Sequence, residues 1–81
     1  GLADYAATVA NLERARATRL PLARQRAEAA AGAFAGGTMS ADNLIATRRD
    51  ALETELDVIA LSERRAMLGA ALTLQYAERT P

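Results

Sequence analysis

Phe34-Ala35-Gly36-Gly37-Thr38-Met39-Ser40 is the one stretch of this chain that must stop being helical. Glycine lacks a Cβ and can take positive φ, so Gly36 and Gly37 can close a preceding helix as C′-type caps. Ser40 can accept a backbone N–H from the turn that follows it as an N-cap, with Asp42 placed against the positive end of the new helix. Asn43 stands where a capping box carries Glu or Gln, so the box is imperfect and Thr38 remains an alternative cap. With either cap, a tip turn over residues 36–40 separates two helical arms, 2–35 and 41–78.

Upstream of the turn, Leu2, Tyr5, Val9 and Leu12 recur at steps of three and four, the mark of one helical face. The same register next lands on Arg16, just before Leu20-Pro21-Leu22. Proline removes a backbone donor and disfavours α geometry at the residue before it, so it either kinks a continuous helix or starts a fresh one. The expectation is a break or offset at Leu20. Beyond it Leu20, Ala23, Ala27, Ala30 and Phe34 form a narrow, mostly alanine seam that Phe34 closes beside the turn, and such a seam lets two helices approach closely.

Downstream, the second arm has no proline and one internal glycine, Gly69. At 1.5 Å per residue it extends roughly 55 Å and needs a long partner. Its seam is read as Ile45, Leu52, Leu56, Ile59, Ala66 and Ala70, interrupted by Arg49 and Glu63, with a second stripe of Leu44, Ala51, Val58 and Leu72 beside it. Two adjacent stripes make a wider apolar band than one neighbouring helix covers. A short turn joining arms of similar length implies an antiparallel return. The fold class is therefore all-α: one long, coiled-coil-like helical hairpin over residues 1–81, its first arm interrupted near Pro21, pairing with other hairpins into a helical bundle. No strand-like alternation or Asn-Gly turn points to a β domain.

Composition narrows the function. Of the 81 residues 51% are hydrophobic but only 4% aromatic, so the large side chains that would stabilise a short chain on its own are scarce. Ten basic residues, all arginine, balance ten acidic ones with the signs interspersed, which argues against nucleic acid as a partner. Without cysteine or histidine there is no disulfide framework, and the usual zinc and copper ligands are missing. Glu53 with Asp57, and Asp50 with Glu53, share helical contact spacing, but two carboxylates without an organised loop make no metal site. Arg48-Arg49 and Arg64-Arg65 point about a hundred degrees apart within each pair, which suits a solvated face with ion pairs better than an anion site. No activated nucleophile or acid–base pair in a water-poor pocket is available, so no enzyme, cofactor or catalytic residue is expected. No signal peptide or spanning segment lies within these residues.

The order of elements from Leu20 to Tyr76 resembles the C-terminal periplasmic hairpin of TolC-like outer membrane efflux proteins. The likeness is carried by Leu20-Pro21-Leu22-Ala23-Arg24-Gln25-Arg26, by Ala29-Ala30-Ala31-Gly32-Ala33 running into the turn, by Leu44-Ile45-Ala46-Thr47-Arg48, and by Leu74-Gln75-Tyr76 closing the long helix. The Leu-Pro-Leu-Ala entry and arginine-rich arms are most similar to the branch that exports heavy-metal cations. The resemblance implies a trimeric duct: an outer membrane β-barrel continued by a periplasmic α-barrel, of which this chain is a fragment. It implies a periplasm-facing location, membrane contact only through parts of the parent outside this chain, and passive export beside an inner membrane pump. A periplasmic adaptor protein would dock at Gly36, Gly37, Thr38, Met39 and Ser40, flanked by Phe34 and Leu44.

Two positions depart from the family. Several members carry a tyrosine at Phe34 and a basic residue at Met39, a polar pair that ties neighbouring coils shut; a hydrophobic constriction or a ring of Asp42 would have to replace that gate here. Phe34 also reads as an apolar plug beneath the turn, and Met39 as an exposed apolar contact. The alternative function is a free-standing helical coiled-coil interaction or scaffold module, with the turn only a connector. On either reading the isolated chain associates as a dimer or higher oligomer.

Overall fold

The computed structural model describes residues 1–79 and shows an all-helical antiparallel hairpin. The first arm comprises α1 (Leu2–Arg14), a five-residue π turn (Ala15–Arg19) and α2 (Leu20–Ala35); the second arm is the single helix α3 (Ala41–Arg79). The molecule measures 68 × 16 × 13 Å, so it is a two-helix rod one layer thick. Such a shape has little interior: among the described residues the buried apolar ones are Leu12, Ala15, Leu20, Ala23 and Ala30.

The seam of the first arm explains the π turn. Its inward residues are Thr8, Leu12 and Ala15, then Leu20, Ala23 and Ala30. Steps of four and three hold within each run, but Ala15 and Leu20 are five apart. A regular α-helix would bring Thr18 or Arg19 to the seam after Ala15. The π turn inserts one residue, carries the arginines to the flanks and returns Leu20 to the contact line. Its signature is the Leu20 N–H donating to the Ala15 carbonyl five residues back. The adjoining Pro21 has no N–H to donate, so the altered ladder falls where one bond would be missing in any case. The offset near Pro21 is thus a change of helical pitch; no residue between Leu2 and Ala35 leaves the helix.

The second arm turns a different face inward from the one read as its seam. Ile45, Leu52, Leu56 and Ile59 are 54%, 61%, 64% and 53% exposed, whereas Leu44, Ala51, Val58 and Leu72 are partly buried and Thr54 is buried. The stripe of larger side chains faces away from the first arm. Opposite the alanine lining of α2, at Ala23, Ala27 and Ala30, the inward residues of α3 are the small Thr47, Ala51 and Thr54, while Leu44, Val58 and Leu72 occupy the rest of that stripe. Two threonines tolerate this environment because their hydroxyls are satisfied locally. Thr8 donates to the Asp4 carbonyl and Thr54 to the Asp50 carbonyl, each at 2.9 Å. Among the described residues no buried side-chain polar atom lacks a partner.

Leu2, read as the start of the first-arm stripe, is 75% exposed, and Phe34, read as its close, is 45% exposed. The seam therefore ends at Ala30, and Phe34 is a half-exposed side chain beside the turn, not a buried plug. No described helix is long and apolar enough to cross a membrane.

Candidate functional site

The tip joins α2 to α3 through a complete Schellman closure followed by a serine cap. Gly37 is the residue with positive φ, at 79°, and its N–H donates to the Phe34 carbonyl at 3.1 Å. The Thr38 N–H reaches back to the Ala33 carbonyl at 2.8 Å, and the Thr38 hydroxyl donates to the same oxygen at 3.1 Å. This pairing of one six-residue and one four-residue backbone loop satisfies carbonyls that the helix end would otherwise leave open.

The two glycines are not equivalent. Gly36 stays right-handed, at φ −81° and ψ −1°, and a Cβ built on it meets its nearest atom, the Gly32 carbonyl oxygen, at 3.5 Å, an ordinary contact. Closing the helix needs glycine at position 37 alone, so the second glycine is free to serve something outside the hairpin. Ser40 accepts the Asn43 N–H on its hydroxyl oxygen at 3.2 Å, and Leu44 donates to the Ser40 carbonyl at 3.1 Å, which starts α3. Asp42 lies exposed in the first turn of that helix, where its charge opposes the dipole favourably. Gly36, Gly37, Thr38 and Ser40 are exposed, while Met39 and Leu44 are partly buried, so Met39 is not the fully exposed contact anticipated for a tight turn.

Away from the tip the arms are tied by arginines whose partners lie far off in sequence. Arg24 donates through Nη2 to Glu55 at 2.9 Å, Arg19 to Asp57 at 2.8 Å, and Arg16 to the Ser62 hydroxyl at 2.7 Å. Arg64 donates from Nε to the Thr8 hydroxyl at 3.3 Å. The first two are exposed ion pairs of about 0–1 kcal/mol each, and their main effect is to set the register of one arm on the other. Arg64 therefore belongs to the contact between arms, although its sequence neighbourhood reads as solvated surface. Asp57, one of the carboxylates at helical contact spacing, is engaged by Arg19. Among the described residues no three acidic side chains gather into a set that could hold a metal ion.

The second feature with functional weight is the outer face of α3. Ile45, Leu52, Leu56 and Ile59 project on one side, each more than half exposed. These residues are legible in the sequence as a heptad stripe. What the sequence left open is that they are spare once the hairpin has closed. Compared with protein-family models, curated proteins and solved structures, the chain matches none.

Proposed function

We propose that this hairpin is one lateral element of a periplasmic α-helical barrel: the tip-bearing segment of a TolC-like outer membrane efflux duct, acting by shape and passive conduction. The observation that supports it best is the separation of faces on α3. The hairpin turns Leu44, Ala51, Thr54 and Val58 toward the first arm and keeps Ile45, Leu52, Leu56 and Ile59 outside, as a barrel element needs in order to pack on a neighbouring hairpin. The likeness from Leu20 to Tyr76 supplies the family, with the heavy-metal cation branch as its finer form. Localisation is then the periplasm-facing part of an outer membrane protein, trimeric in the parent.

At the tip, a periplasmic adaptor protein docks on Gly36, Gly37, Thr38, Met39 and Ser40, between Phe34 and Leu44, and couples the duct to an inner membrane pump. Gly36 favours this reading, because its backbone conformation does not require glycine whereas close approach of a partner would. A photo-crosslinking residue placed at Gly36 in the parent reading frame, in cells, is expected to capture the periplasmic adaptor. Normal secretion of the parent with no adaptor adduct from either Gly36 or Met39 refutes docking at this tip.

The exposed stripe of α3 also favours the second reading, a free-standing helical association module. The parent frame separates the two. A signal peptide, period-two strand segments and a second similar hairpin belong to the duct; start and stop codons flanking these residues belong to the module.

A further inference from the structure

The outer face of α3 carries more than exposed leucines. Ile45, Arg49, Leu52, Leu56, Ile59 and Glu63 follow one another at steps of four, three, four, three and four, a coiled-coil repeat. All six are exposed or more than half exposed in the hairpin. The two charged members are opposite in sign and stand seven residues on either side of Leu56. The ion pairs that tie the arms, Arg19–Asp57 and Arg24–Glu55, involve neither of them.

We infer that a second copy of this chain packs on this face, antiparallel, about a two-fold axis at Leu56. That operator sets Leu56 against the partner's Leu56, Leu52 beside the partner's Ile59, and Ile45 beside the partner's Met67, a position 73% exposed in the hairpin. Arg49 then meets the partner's Glu63, and the symmetry makes the same pair a second time. A parallel pairing along the same stripe would instead oppose Arg49 to Arg49 and Glu63 to Glu63, so charge selects the antiparallel direction.

Surface area points the same way. The chain exposes 5946 Å² for a mass of 8.6 kDa, against about 4,700 Å² for a compact monomer of that mass. The excess, roughly 1,200 Å², exceeds the ~800 Å² that each partner contributes to a standard interface. The resulting assembly is a four-helix arrangement with the two α3 helices at its centre. It is a property of the isolated chain and does not rest on the duct reading; in a trimeric duct, where every tip points the same way, this face would pack on a neighbouring hairpin and the two-fold pair would not form.

Sedimentation equilibrium of the 81-residue chain is expected to return twice the chain mass, with a concentration-dependent dissociation. Glu63→Arg opposes like charges at both pairs and should raise the dissociation constant about tenfold, and adding Arg49→Glu should restore it. Because the chain has no cysteine, single cysteines report geometry directly. Leu56→Cys should oxidise readily to a disulfide dimer, while Ile45→Cys should not, its two copies lying roughly 30 Å apart along the pair. Far-UV circular dichroism of each variant checks that the hairpin remains helical. A monomer at all concentrations, a dimer indifferent to the charge exchange, or efficient Ile45→Cys cross-linking overturns the proposal.

Discussion

Replacing each tip glycine by alanine tests the distinction between a glycine the backbone needs and one it does not. At Gly37, φ is +79°, a left-handed conformation in which an added Cβ crowds the following carbonyl. Alanine there should destabilise the hairpin by about 1–2 kcal/mol. At Gly36, φ is −81° and ψ −1°, and the added methyl would meet only carbonyl oxygens of Gly32 and Ala33, at 3.5 and 3.7 Å. No strain opposes it. Restricting the unfolded chain should make Gly36→Ala neutral or stabilising by up to about 1 kcal/mol. The two variants add the same methyl group at adjacent positions, so they differ little in hydrophobicity or helix propensity. The measurement is urea unfolding followed by circular dichroism at one fixed protein concentration, since association contributes to apparent stability. At the urea m-values of small proteins, about 1–3 kcal/mol/M, 1 kcal/mol moves the midpoint by roughly 0.3–1 M, well separated by experiment. Equal losses at both positions, or a larger loss at Gly36, would refute the assignment of the C′ position to Gly37. On the duct reading, a Gly36→Ala variant that keeps full stability yet impairs export would place the requirement at that position in a partner and not in folding.

Three further outcomes follow from the geometry. Ser40→Ala removes the acceptor of the Asn43 N–H and should cost about 1 kcal/mol, seen as faster hydrogen exchange at that amide together with a lower unfolding midpoint. Ala23→Leu adds bulk to a seam position that is 4% exposed and should destabilise by about 1–3 kcal/mol, whereas the same change at exposed Ala17 should be close to neutral in the same melt. Deleting Ala17 in a Pro21→Ala background shortens the π turn to an α turn and keeps Ala15 and Leu20 on one face, so helicity and cooperative unfolding should survive. Deleting Gln25, which rotates the remainder of α2 by about a hundred degrees, should abolish cooperative unfolding.

The local features of this protein were readable from its residues because each is decided within a few positions. Two glycines after an alanine-rich run, then a serine and an aspartate, specify a helix stop and a helix start through hydrogen bonds that span five residues or fewer. The lengths of the arms, their antiparallel return and the doubled stripe on α3 follow from the same short-range chemistry and from the 3.6-residue period. Tertiary structure decided the rest. Which α3 stripe turns inward depends on what faces it: opposite the alanines of α2 lie Thr47, Ala51 and Thr54, and Ile45, Leu52, Leu56 and Ile59 are left outside. The π turn exists because two runs of seam residues, five apart at Ala15 and Leu20, must meet one straight partner, a condition that neither run contains alone. The partners of Arg16, Arg19, Arg24 and Arg64 lie 31–56 residues away, a separation at which only the closed hairpin brings charge and hydroxyl within reach.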